Sequence, residues 1–413
     1  MTARVEPLFA ERAHWLRASD VRELLKYTQD PTIISFAGGL PSPEAFPREE
    51  LRIIFEELLG EDRLPALQYG PTPGDPALRK ELVSLMGSRG IDASVERTVV
   101  THGAQQALEF IGRVLLNPGD VAIVTEPTYL GVFTALATYR PSYHGIPMDE
   151  EGILTDVLEE DLNALAMDRV RPKLIYVVPT FHNPTGTTIS ARRRRRLVDL
   201  AATYEVPIIE DDPYRDLRFE GDDVPPIASM DTEGWVVYLG SFSKTLAPGF
   251  RIGWAHGPED LIQKMALAKQ GADLFTNGFG QRVAERYLAL GMMKGHLPRI
   301  RSLYRSKRDT MLTRMKETFP DRVTWTRPQG GMFVWATTPP QADTRAILPM
   351  AAAQHVVYVP GHGFFAGPPQ TNHLRLNYSF PSEGDIRKGI GILGSVLDGA
   401  LGAPSARPAL IEA

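Results

Sequence analysis

A chain of 413 residues, 43% of them hydrophobic, can bury a large core and is expected to divide into one large and one smaller domain. A net charge of -5 gives no footing for nucleic acid, and no uninterrupted apolar segment approaches membrane-spanning length. The absence of cysteine excludes disulfides and thiolate metal sites, and the N-terminus lacks the apolar centre of a signal peptide, so a cytoplasmic location is expected.

Near the N-terminus, Ser19 or Asp20 is placed to cap a short helix through Tyr27, with Val21, Leu24 and Leu25 turned inward and Arg22 turned away. Ile33 to Phe36 then run into Gly38, Gly39, Leu40 and Pro41, where paired glycines permit close backbone approach. The stretch LQYGPTPGD (67–75) is too rich in proline and glycine for a regular element, which puts Tyr69 on a loop. Thr98 to Val100 read as a strand, and Ala104 and Gln105 open a helix just after Gly103. A strand, a glycine and a helix start together offer an anion cradle of free backbone N–H groups. Val121 to Val124 form the next buried strand and deliver Tyr129 near its carboxyl end, where open α/β sheets bind ligands.

Lys173 to Pro179 form another strand leading into FHNPTG, with Asn183 as its polar group. Ser190 is expected to cap the following helix, whose Arg192 to Arg196 run reads as a solvated face opposite Leu197, Leu200, Ala201 and Tyr204. Val206 to Glu210 form a strand that ends at Asp211, Asp212, Pro213 and Tyr214. A carboxylate there can be a structural cap, a metal ligand or the partner of a heterocyclic nitrogen. The run WVVYLGSFSKTLAPGFRIGW (235–254) reads as a buried strand ending at Gly240 and followed by Ser241, Ser243, Lys244 and Arg251. Lysine forms an imine with an aldehyde cofactor once its pKa is lowered, and the hydroxyls and arginine suit a phosphate. These parts describe a pyridoxal phosphate site.

Glu259 to Gln270 are expected to be helical, and a long helix after Pro298 is expected to link the domains. Further strands are expected near Val323–Trp325, Met332–Ala336, Val356–Val359 and Leu374–Tyr378, before a helix from about Ser382 to Leu401. Arg375 lies between core leucines, where it either alternates outward or clamps a carboxylate across a cleft. The tail from Gly402 reads as loose. Strand and helix alternation from Val99 to Trp254 predicts a three-layer αβα large domain with a mostly parallel sheet, with a smaller α+β domain after it. The boundaries expected are an N-terminal segment 1–45, a large domain 46–297 and a small domain 298–413.

In order, the segments IISFAGGLPSPEAFP, LQYGPTPGDPALR, THGAQQAL, FHNPTG, EDDPYRDL, LGSFSKTLAPGFRIGW, RPQGGMFVW and HLRLNYS make the chain resemble the fold-type I pyridoxal phosphate aminotransferases of class I/II. The likeness runs nearly end to end and is nearest to the 2-aminoadipate and kynurenine subgroup. The resemblance implies that Lys244 is the Schiff-base lysine and Asp211 the partner of the pyridine nitrogen, with Asn183 and Tyr214 at the phenolic oxygen. It implies that Tyr129 stacks on the ring and that Gln105, Ser241, Ser243 and Arg251 hold the phosphate. Tyr69 would reach the phosphate of the neighbouring subunit of a homodimer, Arg375 the substrate α-carboxylate, and Gly39 would lie beside the substrate. An arginine matching Arg22 binds a side-chain carboxylate in aminoadipate-type members, which favours acidic donors such as 2-aminoadipate or glutamate ahead of aromatic and branched ones. Ala104 stands where many relatives carry serine, so one hydroxyl contact to the phosphate is missing.

The activity implied is ping-pong amino transfer to a 2-oxo acid such as 2-oxoglutarate. A lyase or decarboxylase on the same fold would share every cofactor residue. A ligand-sensing regulator is disfavoured because fewer than about forty residues precede the GGLP loop, too few for a winged helix.

Overall fold

The computed structural model describes residues 5–16, 30, 32–60 and 65–402. Arg22, its expected helix and the C-terminal tail after Gly402 lie outside the described residues, whereas Gly402 itself, expected to be loose, closes the last helix. Short apolar runs punctuated by glycine, proline or aspartate become β1 (Ile34–Ser35), β2 (Thr98–Thr101), β3 (Val121–Glu126), β4 (Ser142–Asp149) and β5 (Gly152–Ile153). They continue as β6 (Leu174–Val177), β7 (Ile208–Asp211), β8 (Val236–Ser241) and β9 (Gly253–His256). Among the described residues β2 to β9 make one eight-stranded sheet in the order β2-β9-β8-β7-β6-β3-β4-β5. β4, β3, β6, β7 and β8 run parallel, β9 is antiparallel to β8 and β2, and β5 is antiparallel to β4.

The central strands β3, β6, β7 and β8 are buried on both faces, which is why they read as continuous apolar runs. Val121, Ile123, Ile175, Val177, Ile208 and Val236 face one core with Leu158, Leu162, Leu197 and Leu200. The alternate residues Ala122, Val124, Leu174, Tyr176, Ile209 and Val237 face the other, with Leu108 and Ile111. The α/β reading therefore holds, with helices covering the two faces.

The helix Ala191–Tyr204 is capped as expected, Ser190 Oγ accepting from the Arg193 N–H. Its arginine run is not uniformly solvated. Arg193 and Arg194 are buried, because counting back three and four positions from Leu197 puts both on the inward stripe. Arg194 donates to the carbonyls of Ile189, Pro179 and Pro225 and to Thr180 Oγ1, while Arg193 pairs with Asp149. Tyr204 packs only partly buried against the core.

The remaining strands are β10 (Thr324–Trp325), β11 (Phe333–Thr337), β12 (Val356–Val357), β13 (Val359–Pro360) and β14 (His373–Asn377). The expected single strand at Val356–Val359 is divided at Tyr358. β12 pairs with β1, whereas β13 joins the second sheet, ordered β10-β11-β14-β13 among the described residues. Tyr358 is turned inward at the break, its hydroxyl donating to the Thr344 carbonyl. The long helix spans Met292–Thr318 and starts before Pro298, which lies inside it. An interior proline removes one helical hydrogen bond. Burial of Met293 and His296 on the extra turns offsets that loss. The last helix is Glu383–Gly402.

Candidate active site

A cavity of about 410 Å³ opens at the carboxyl ends of β6, β7 and β8, and its wall includes Lys244, Asp211, Asn183, Tyr214 and Arg375. Each side chain arrives by a different route. β7 ends on Asp211, and the turn that follows carries Tyr214. The loop after β8 presents Lys244. Arg375 is the middle residue of β14 and reaches across from the second sheet.

Lys244 Nζ donates to the Gly39 carbonyl at 2.7 Å. Burial, together with the charges of Arg251 and Arg375, draws the amine down to about 8 against the opposing pull of Asp211. Asp211 moves the other way. Burial is the main cause and pushes it up to about 7, helped by Asp212 and opposed by a hydrogen bond from Tyr176 and the charge of Lys244. The Tyr176 hydroxyl donates to Asp211 Oδ2 at 2.8 Å. Asp211 Oδ1 is buried and has no hydrogen-bond partner among the described residues, and a buried acceptor left this way is a place for an external donor.

Asn183 Nδ2 points at the Tyr214 hydroxyl at 3.4 Å, while its Oδ1 accepts from Arg375 Nη1 at 2.8 Å. Arg375 Nη2 donates to the Ala37 carbonyl, leaving Nε buried without a partner among the described residues. Burial pulls its guanidinium down to about 10, so it keeps its charge at neutral pH.

The opposite wall is an anion cradle. The helix Ala104–Leu115 begins after Gly103, which caps it with no side chain, so its first N–H groups are free toward the cavity wall formed by Ala104 and Gln105. Gly103 has φ +77, and a Cβ there would come within 2.6 Å of Arg251 Nη2; glycine is what lets the guanidinium reach the helix start. Arg251 Nη1 donates to Ser243 Oγ at 3.3 Å, and Ser241 Oγ donates to Ser243 Oγ at 3.0 Å. The Gln105 side chain is engaged elsewhere, donating to the Gly131 carbonyl, so its backbone is the part available to an anion. Tyr129 lies on the wall with its ring over Gly131, where a Cβ would approach the ring to 2.2 Å.

Ala104, Gln105, Tyr129, Asn183, Asp211, Tyr214, Ser241, Ser243, Lys244, Arg251, Arg375 and Gly39 are thus brought to one cavity. Tyr69 is not on its wall; it is 78% exposed and packs edge-on to Phe275 at 5.5 Å. Tyr176 is the site residue that sequence reading missed. A phenol in an aliphatic buried strand needs a polar partner, and the register pairing Tyr176 with Ile209 puts Asp211 two residues on, on the same face.

These residues fit pyridoxal phosphate: a depressed lysine for its aldehyde, an orphaned carboxylate oxygen for its ring nitrogen, and an arginine and hydroxyls at a helix start for its phosphate. The cavity is that of a pyridoxal phosphate-dependent aminotransferase. The family model for aminotransferase class I and II matches residues 49–393, and the chain belongs to that family. It is 46% identical to aromatic-amino-acid aminotransferase 1 of Thermococcus litoralis over 94% of each chain. The kynurenine aminotransferase of Pyrococcus horikoshii, solved in complex with PMP, superposes with a TM-score of 0.93 at 45% identity, over 97% of this chain and 99% of that one. The α-aminoadipate aminotransferase of Thermus thermophilus, complexed with N-(5'-phosphopyridoxyl)-L-leucine, gives 0.89 at 36% identity, over 97% and 100%.

Proposed function

We propose that this aminotransferase takes the α-amino group from L-amino acids with large side chains, aromatic and kynurenine-like donors first, and passes it to a 2-oxo acid such as 2-oxoglutarate. The observation that carries the donor class is the apolar surface that Leu40, Leu108, Leu130 and Val178 contribute to the cavity they share with Arg375. The names of the Thermococcus and Pyrococcus relatives support it.

When bound, the cofactor supplies an electron sink for the Cα–H bond. The chain's own residues do the rest. Lys244 Nζ would hold the cofactor through its aldehyde and would serve as the base for the Cα proton. Asp211 Oδ1, left without a partner among the described residues, would accept from the ring N–H, Asn183 Nδ2 and the Tyr214 hydroxyl would serve the phenolic oxygen, and Tyr129 would hold the ring. Ser241, Ser243, Arg251 and the N–H groups opening at Ala104 and Gln105 would hold the phosphate. Arg375 would bind the α-carboxylate, with Gly39 on the same cavity wall. Retention of that carboxylate favours amino transfer over decarboxylation. In this reading residues 46–297 form the cofactor-binding domain and 298–413 the smaller one, and two chains pair as a cytoplasmic homodimer.

A second reading, acidic donors such as 2-aminoadipate or glutamate, is favoured by the aminoadipate-acting Thermus relative and would draw on Arg22. The test is the half-reaction. Purified enzyme is mixed with L-phenylalanine, L-kynurenine, L-2-aminoadipate or L-glutamate without any oxo acid, following loss of the cofactor's visible band and release of the matching oxo acid. Faster conversion by the first pair supports the proposal, and conversion by the acidic pair alone replaces it with the second reading. Loss of the donor's carboxylate as carbon dioxide would overturn amino transfer itself.

A further inference from the structure

A second cavity, of about 780 Å³, lies on the other side of the Asp211–Arg218 segment, between it and the long helix Met292–Thr318. Five arginines line it: Arg89, Arg215, Arg218, Arg301 and Arg305. Among the described residues only three carboxylates join them, Asp216, Glu220 and Asp223. That leaves two positive charges in excess, in a chain whose net charge is -5. Concentrated positive charge in a concave, partly buried wall attracts small anions, because low-dielectric walls focus the field.

The arginines are also incompletely used. Arg218 is stacked on the Phe181 ring at 4.6 Å, with its side chain only 10% exposed. Its Nε is 3.8 Å from Asp223, and neither Nε nor Nη2 has a hydrogen-bond partner among the described residues. Arg301 donates through Nε to the Asp216 carbonyl, and its two terminal nitrogens make no hydrogen bond among the described residues. Arg305 has Glu220 at 3.4 Å, and Glu220 is already held by Arg308. Arg89 and Arg215, by contrast, are fixed, the first on Asp216 and Tyr238 and the second on Asp223 and the Val224 carbonyl. The groove thus has a rigid floor and a rim of spare guanidinium donors.

We propose that this groove binds a compact polyanion, a small molecule carrying either a diphosphate or several carboxylates, with Arg301 and Arg305 as its forked donors and Arg218 supplying charge behind them. The site is separate from the catalytic cavity but shares a segment with it: Asp211 and Tyr214 face the cofactor side, whereas Arg215, Asp216 and Arg218 face the groove. An anion held there bears on the turn that positions the catalytic aspartate.

The test is calorimetric titration of the cofactor-loaded enzyme with inorganic pyrophosphate and, separately, citrate, at low ionic strength. Binding of one ion per chain is expected, with the tighter probe telling phosphoryl from carboxylate ligands. The double variant Arg301→Ala/Arg305→Ala should weaken binding about tenfold or more by removing both forked donors, leaving the cofactor's visible spectrum and the half-reaction unchanged. Asp223→Asn removes a competing carboxylate and should tighten binding. Absence of binding by both probes, or binding unaltered in both variants, would overturn the proposal. Because the heat does not depend on turnover, this outcome is independent of the donor assignment.

Discussion

Lys244 and Asp211 are driven toward each other on the pH scale, the amine down to about 8 and the carboxyl up to about 7, with burial the first cause in both. An ordinary lysine stays protonated until about 10.4, so lowering its pKa extends the range in which the amine is neutral and nucleophilic. Growth of the visible band when pyridoxal phosphate is added to cofactor-free enzyme should therefore accelerate with pH and level off above about 8. A rise continuing to the ordinary lysine range would count against desolvation as the activating device. Lys244→Ala should lower turnover by at least about a hundredfold, the usual scale for a lost acid–base group. The hydrogen bond from Tyr176 holds Asp211 lower than burial alone would. Tyr176→Phe then leaves less of the aspartate ionised near neutrality. The expected result is a kcat deficit that is larger at low pH and shrinks as pH rises, measured as a pH–rate profile beside the parent; a pH-independent deficit would reduce Tyr176 to a packing role.

Among the elements, the helix Ala191–Tyr204 separates arginines by phase alone. Arg194 satisfies buried carbonyls of two loops, and truncating it orphans them. A buried acceptor without a donor costs about 1–3 kcal/mol, so Arg194→Ala should destabilise by at least about 2 kcal/mol in urea unfolding. Arg192, 75% exposed on its pair with Glu151, should change stability by no more than about 0.5 kcal/mol when replaced by alanine. Equal effects would mean that the helix is rotated from this phase. The same comparison marks how far the sequence could be read. Parallel strands buried on both faces announce themselves as aliphatic runs, so β3, β6, β7 and β8 were legible, as were the polar residues after them. Arginine reads as solvated by habit, and only the three- and four-residue spacing to Leu197 gives away the buried pair. The division at Tyr358 left no such mark, since Val356 to Val359 is one β-prone run and its two halves differ only in what they pair with, β1 or β14. Pro298 misled in the same manner, because helix starts favour proline while tertiary burial of Met293 and His296 moved the start upstream.

At the scale of the whole molecule, the cavity joins distant parts of the chain: Gly39 accepts from Lys244 and Ala37 from Arg375, with β1 fastened to β12 nearby. Tyr69 stands apart from this convergence. Its loop carried no local signal of function, and only the family resemblance gave it a role, through a second subunit. Its exposure and that of Leu67 and Leu274, at 61% and 56% on the segments joined by the Tyr69–Phe275 contact, form the kind of apolar surface that partner chains cover. If two chains share each site, an intact site needs Lys244 from one and Tyr69 from the other. Tyr69→Ala and Lys244→Ala, each impaired alone, then complement when co-expressed. In a hybrid dimer the chain lacking Lys244 still contributes Tyr69, and its partner still contributes Lys244, so one of the two sites is whole. Random pairing makes half the dimers hybrid, which gives about a quarter of parental activity per chain for a closed two-fold assembly. Purifying the hybrid by two different tags and assaying it against each single variant decides the matter. Activity no higher than the sum of the two variants would place Tyr69 outside the neighbour's site and leave each chain catalytically self-contained.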